Sequence, residues 1–195
     1  MGTILYLIRH GETDWNKERR IQGHSDVQLN AIGLEQADKL AEFLARDRFN
    51  KIYSSDLKRA YDTAFRLSQA TGSPLEALVR LRERSYGELE GLSYEEVRER
   101  MQQAGDDESL LGIESVDAIQ DRAFSCLSEL VQNHKDETIA VVSHGGYINS
   151  FLYRISNGMM GTGITRLDNT GITKLVYDPT SYTWETIGVN STPHL

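Results

Sequence analysis

The sequence predicts an α/β protein: a three-layer α/β/α sandwich in which helices cover both faces of a mostly parallel central sheet. Two observations carry this expectation. Short continuous apolar runs, Ile4 to Ile8 and Ile139 to Val142, have the character of strands buried on both faces. Between and after them lie longer segments whose apolar residues recur at helical spacing, and this alternation belongs to layered α/β folds.

The elements follow in order. The strand at Ile4 to Ile8 stops at Arg9-His10-Gly11. From Asn30, an N-cap residue, Leu34, Ala37, Leu40, Ala41 and Leu44 mark one face of an amphipathic helix. Lys51 to Ser54 is a short strand, and Ser55 or Asp56 caps a second helix that places Ala60, Ala64 and Leu67 on one face and Arg59 in its first turn. A polar stretch from Gly91 to Asp117 opens with a short helix, Tyr94 to Met101, and runs through Gly105-Asp106-Asp107-Glu108-Ser109; it reads as a flap or insertion over residues 92–116. Val116, Ile119, Ala123, Leu127, Leu130 and Val131 mark a long helix. The strand Ile139 to Val142 then ends at Ser143-His144-Gly145-Gly146, and a helix through Ile148 to Ile155 follows. Beyond the glycine-rich loop 158–163, Ile172 to Tyr177 and Thr183 to Val189 form a terminal strand pair joined near Asp178-Pro179.

At 195 residues the chain is read as one domain, 1–195, with a sizeable core. A formal charge of −8 argues against nucleic acid as a partner, since such affinity comes from many Lys and Arg contacts. Cys126 is the only cysteine and cannot close an internal disulfide, and no apolar stretch reaches the roughly 20 residues of a membrane span, so the expected location is cytoplasmic and off the membrane. Met1-Gly2 opens like a lipidation motif, but Tyr6 stands where Ser or Thr is required. No coiled-coil pattern announces an assembly, which leaves a monomer or a homodimer.

The chemistry is written in an echo. Both of the most buried strands end in a polar residue, a histidine and a glycine: Arg9-His10-Gly11 and Ser143-His144-Gly145. In open α/β sheets ligands bind at the carboxyl ends of the strands, so the two histidines converge on one site. A lone strand-end histidine is more often a satisfied polar residue; two in the same context reverse that reading. Neither sits in a metal-ligand spacing such as H-x-x-x-H, so no metal is assigned. Arg9 adjoins His10, and Arg59 lies at a helix start whose free N–H groups favour an anion. With the two histidines these guanidiniums suggest a pocket for one phosphoryl group.

These residues resemble the histidine phosphatase superfamily, also called phosphoglycerate mutase-like, over nearly the whole chain. The resemblance rests on Leu7 through Asn16, on Gln22-Gly23-His24-Ser25-Asp26 with Leu29 through Gly33 and Gln36-Ala37, on Ser54 through Ala60 with Thr63-Ala64, on Leu81-Arg82-Glu83 with Gly87 and Glu90-Gly91, and on Val142 through Gly146. It implies a phosphoglycerate mutase-like fold and a nucleophilic His10 that carries a phosphohistidine until water removes it. Arg9, Arg59 and His144 are then the donors to the phosphoryl oxygens, with no cofactor or metal. Glu83 is the proton donor to the leaving oxygen and the base for the hydrolytic water. Asn16, Gln22, Gly23 and Gly145 line the phosphate or the substrate. Neighbouring arginines should keep His10 neutral, and a bound phosphate dianion should favour a protonated His144.

The implied activity is metal-independent hydrolysis of a small phosphorylated metabolite. The alternatives are a cofactor-dependent phosphoglycerate mutase and a phospholigand-binding regulatory protein without turnover. Mutases of the family carry a longer segment after the Glu-Gly pair, whereas only about 25 residues, net acidic, occupy that place here, which favours hydrolysis. The chain departs from the family in having Leu89 where tryptophan often precedes Glu-Gly, a change expected to reshape the substrate side of the pocket. Cys126 is expected to be a packed thiol, His24 to edge the pocket, and His134 and His194 to serve no chemistry. Specificity is expected in residues 92–116 and 190–195.

Overall fold

The computed structural model describes residues 2–105 and 107–195. Met1, from the lipidation-like start, and Asp106, within the expected flap, lie outside the described residues.

Six strands form one sheet: β1 (Thr3–Arg9), β2 (Lys51–Ser54), β3 (Leu75–Ala77), β4 (Thr138–Ser143), β5 (Ile172–Asp178) and β6 (Thr183–Ser191). Their spatial order is β3-β2-β4-β1-β5-β6. The first four are mutually parallel, while β5 runs antiparallel to β1 and β6 antiparallel to β5. The helices are α1 (Asp14–Lys17), α2 (Ala31–Phe43), α3 (Lys58–Thr71), α4 (Tyr94–Gln103), α5 (Val116–Asn133) and α6 (Gly145–Ile155). None is long and apolar enough to cross a membrane among the described residues.

The continuous apolar runs are explained by the two layers that the strands serve. Successive side chains on a strand point to opposite faces. Leu5, Leu7, Ile139 and Val141 therefore join a core with α5 and α6, built on Ile119, Leu127, Phe151 and Leu152. Ile8, Ala140 and Val142 point the other way, into a core with Leu40 and Leu44 of the α2 end and with Ala60, Ala64 and Leu67 of α3. A third, smaller core of Leu89, Leu111 and Ile113, with Val97 and Met101 of α4 against it, lies under residues 92–116.

Local signals account for most boundaries. The Asn30 side chain accepts from Gly33 N and starts α2 as expected, and Ser93 with Glu96 forms a capping box for α4, which extends to Gln103 rather than Met101. Two expectations are corrected, and one strand is added. Neither Ser55 nor Asp56 is the cap of α3: its N-cap is Leu57 without a side-chain bond, and the Lys58 N–H instead donates to Asp26 Oδ1 at 2.7 Å, a cap brought from across the fold. The helix after β4 begins at Gly145, three residues before Ile148, directly from the strand end. Strand β3 has no counterpart in the sequence reading: its three residues, Leu-Glu-Ala, are partly exposed at the sheet edge and show no periodicity.

Candidate active site

Parallel pairing of β1 and β4 ends at Arg9 opposite Ser143, so the next residue of each strand, His10 and His144, leaves the sheet at the same level. The His10 N–H donates to Ser143 O at 3.0 Å, which ties the two strand ends together. The imidazole centroids lie 5.1 Å apart at an interplanar angle of 60°. Both rings are buried.

His10 Nδ1 lies 2.6 Å from Gly11 O. A carbonyl oxygen only accepts, so Nδ1 carries the proton and Nε2 the lone pair. Burial, then Arg59, then Arg9 hold this imidazole well below its usual pKa. The arginines expected to keep it neutral do contribute, but burial contributes more. Both nitrogens of His144 are buried without a partner among the described residues. Burial, then Arg59, then His10 hold that ring well below its ordinary pKa too. The expectation of a protonated His144 concerned the phosphate-bound form; by its own surroundings the ring is neutral.

A testable consequence concerns stability. Both histidines take up protons more readily unfolded than folded, so their contribution is intact above the unfolded pKa of about 6.5 and is lost as pH falls below it toward their depressed folded values. Urea unfolding at pH 7.5 and pH 5.5 should show a larger loss on acidification in the wild type than in a His10→Gln/His144→Gln variant. Equal losses would mean the two rings titrate alike in both states.

Arg59 is the largest fully buried side chain among the described residues, in the first turn of α3. Its Nη1 donates to Ser25 O and its Nη2 to Gly23 O, each at 2.8 Å, while Nε has no partner. Burial lowers its pKa to about 10, so it remains cationic at neutral pH. Arg9 donates from Nη1 to Leu167 O at 2.6 Å and likewise keeps Nε unpartnered. The two cations share a cleft of about 240 Å³ with His10, Asn16, Gln22, Gly23, Glu83 and Gly145. Eight of the nine site residues expected from the sequence line this cleft; the ninth, His144, is not among its lining residues and lies edge-on against His10.

Asn16 has a structural duty beside its place in the cleft. Its Oδ1 accepts from the Thr13 N–H and hydroxyl, both at 3.1 Å, closing a capping box on α1, which leaves the Nδ2 amide for a ligand. Gln22 Oε1 is buried without a partner. Gly23 adopts φ +49° beneath the Glu90 carboxylate, where a Cβ would collide with that side chain. Gly145 and Gly146 open α6. Glu83 is placed by this helix: its Oε2 accepts from Gly146 N at 2.9 Å and its Oε1 from Tyr147 N at 2.8 Å. A Cβ on Gly146 would stand 2.5 Å from Glu83 Oε1, so the approach needs glycine. The flanking arginines turn to other carboxylates, Arg80 to Glu129, Arg82 to Asp56 and Arg84 to Glu108.

Several contributors were invisible in the sequence. Glu90 accepts from the His24 and Tyr86 N–H groups and from the Ser25 hydroxyl, binding the Gly23 loop to the Glu83 loop. Asn169 donates to His10 O at 3.0 Å, and Thr63 Oγ1 accepts from the Gly11 N–H at 3.1 Å. Tyr94, first residue of α4, reaches the cleft with Tyr86, Arg20 and Asn149; the expected flap was the one signal for it. Leu89 is 3% exposed and packs with Leu111 and Ile113, so its departure from tryptophan lies in the small core and not on the cleft, against expectation.

The remaining candidates are placed elsewhere. His24 Nε2 meets Glu83 O at 2.9 Å, behind the carboxylate. His134 bonds Tyr53 and Glu137, and His194 bonds Thr170; neither borders the cleft. Cys126 is packed in the α5/α6 core, where burial raises its pKa. Among the described residues no group of three His, Cys, Asp or Glu side chains is placed to hold a metal ion.

Comparison with known proteins places this geometry. The sequence profile of the histidine phosphatase superfamily (branch 1) matches residues 5–190. Phosphoglycerate mutase-like protein 4 of Arabidopsis thaliana is 42% identical over 161 residues, covering 77% of this chain and 70% of its own. A metal-independent phosphoserine phosphatase of the same plant is 39% identical, covering 79% and 69%. The crystal structure of a phosphoserine phosphatase from Entamoeba histolytica in complex with 3-phosphoglyceric acid superposes with a TM-score of 0.84 at 30% identity, covering 99% of each chain.

Proposed function

The chain belongs to the histidine phosphatase superfamily (branch 1), and from that premise we propose that it is a metal-independent phosphomonoesterase that hydrolyses a small phosphorylated metabolite through a phosphohistidine on His10. The observation that carries the reading is the state of His10: a buried neutral ring whose Nδ1 proton is held by Gly11 O, which leaves Nε2 as a lone-pair donor beside two arginines and His144.

In this reading His10 Nε2 attacks phosphorus and the bond to the leaving oxygen breaks, with Glu83 handing that oxygen a proton. Arg9, Arg59 and His144 donate to the equatorial oxygens, where charge is spread in the transition state. The dianion raises the proton affinity of His144, which then becomes a charged donor. Water next attacks the phosphohistidine as Glu83 takes its proton; the N–P bond breaks and phosphate leaves. Asn16, Gln22, Gly23 and Gly145 shape the rim of the phosphate site.

A cleft of about 240 Å³ lies at the small end of ligand pockets and favours a metabolite over a phosphorylated protein side chain. Hydrolysis is favoured over a mutase reaction because residues 92–116 fold onto their own small core, and Tyr94, 60% exposed, leaves the mouth open to water. We place the protein in the cytoplasm, where a lone buried thiol such as Cys126 is at home.

The test is phosphate release from 4-nitrophenyl phosphate and 3-phosphoglycerate in excess EDTA, with 2-phosphoglycerate formation followed in parallel. Release that persists in EDTA is expected. Release abolished by the chelator would end the metal-free mechanism, isomerisation faster than release would make the protein a mutase, and phosphate binding without turnover would make it a regulatory binder.

A further inference from the structure

The acid/base group of this reaction sits on a loop, residues 82–86, and loops hold a side chain to catalytic precision only when something else fixes them. His24 meets Glu83 O alone, whereas one side chain outside the cleft holds several points of this loop at once. The Arg122 guanidinium, from the second turn of α5, donates from Nη1 to Arg80 O at 3.0 Å and Arg82 O at 2.8 Å, and from Nη2 to Glu83 O at 3.1 Å. Its other face forks onto Glu114, with Nε 2.9 Å from Oε1 and Nη2 2.7 Å from Oε2. The same guanidinium stands 5.3 Å from the centre of the Tyr147 ring, and it is the Tyr147 N–H that binds Glu83 Oε1.

We infer that Arg122, braced by Glu114, is the positioning residue of the reaction: it locks the backbone of Glu83 against α6 so that the carboxylate points at the leaving oxygen. Glu114 in turn fastens the end of the 92–116 segment to the same loop, since Glu114 N donates to Ser85 O at 2.9 Å and Arg84 Nε to Glu114 O at 2.6 Å. Three carbonyls and a carboxylate converge on one planar fork, a pattern a lysine ammonium cannot reproduce. Arg122 itself does not border the cleft, so its effect must pass through Glu83.

The inference rests on the phosphatase reading, and the test separates the two. Proton donation matters for an alkoxide leaving group and little for 4-nitrophenolate, while kcat/KM reports the step that releases either. For Arg122→Met we expect kcat/KM on glycerol phosphate to fall roughly 100-fold and on 4-nitrophenyl phosphate by less than about 5-fold, within the usual span of general acid catalysis. The double variant Arg122→Met/Glu83→Gln should be no worse than Glu83→Gln alone, because both changes remove one function. An equal fall on both esters, or additive losses in the double variant, would reduce Arg122 to a structural residue and overturn the inference. Should Arg122→Met fail to fold, Arg122→Lys and Glu114→Gln carry the same comparison. A wild type that hydrolyses neither ester, or that is indifferent to Glu83→Gln on glycerol phosphate, overturns the phosphatase reading itself and the inference with it.

Discussion

Replacing His10 by alanine is expected to lower kcat by roughly 10⁴- to 10⁶-fold, the scale on which removal of a covalent nucleophile acts. Nothing nearby can take its place: the other imidazole, His144, lies with its centroid 5.1 Å away and has no group like Gly11 O to fix its tautomer. The side chain contributes one hydrogen bond, to Gly11 O, so the variant should fold, and a melting temperature near that of the wild type would establish that the loss is chemical. Labelled substrate followed by denaturing electrophoresis should place phosphate on the wild-type chain and none on His10→Ala. Restoration of part of the rate by free imidazole would add the same conclusion from the other side. A variant that keeps more than about a tenth of the wild-type rate, well above the residual expected without a nucleophile, would remove His10 from the mechanism.

The second large effect is expected at Arg59. Its loss should cost roughly 10³- to 10⁵-fold in kcat/KM, the range seen when a guanidinium that neutralises a transferring phosphoryl group is withdrawn. Stability should fall as well. Arg59→Met leaves the buried carbonyl of Gly23 without its donor, at about 1–3 kcal/mol, and removes a further bond to the partly buried carbonyl of Ser25. Arg59→Lys keeps the charge but cannot fork onto two carbonyls and a phosphate together, so it should recover stability better than activity. The pH profile supplies an independent check. Arg59 is one of the charges that depress the His10 pKa, so its removal lets that pKa rise, and the acidic limb of kcat/KM should move to higher pH in Arg59→Met. An unmoved limb would show that burial and Arg9 keep His10 neutral without Arg59.

Most of the fold was legible because its signals are local. The period of the strands and helices and the Asn30 cap lie within a few residues of the structure they specify. The elements that escaped, β3 and the true start of α3, depend on distant partners: β3 is an edge strand defined by its pairing to β2, and the α3 N-terminus is satisfied by Asp26, more than thirty residues upstream. In the cleft the reactive residue types were recognisable from their motifs, and parallel register at the ends of β1 and β4 brings the histidines together as their repeated context foretold. Their supports were not recognisable. Asn169 reaches His10 O across 159 positions, Glu90 reaches Ser25 across 65, and Arg122 holds Glu83 from a helix whose sequence shows only an amphipathic stripe.

By itself the sequence determined the layered α/β class, the convergence of His10 and His144 with Arg9 and Arg59, and the family to which these belong, because each is encoded in hydrophobic period or in contiguous motif. Only the tertiary structure decided which nitrogen of His10 bears the lone pair, that burial outweighs the arginines in keeping it neutral, and that Glu83 is aimed by α6 and braced by Arg122. The reason is physical: a tautomer, a desolvation and an orientation are properties of the atoms packed around a group, and here those atoms come from segments far apart in the chain.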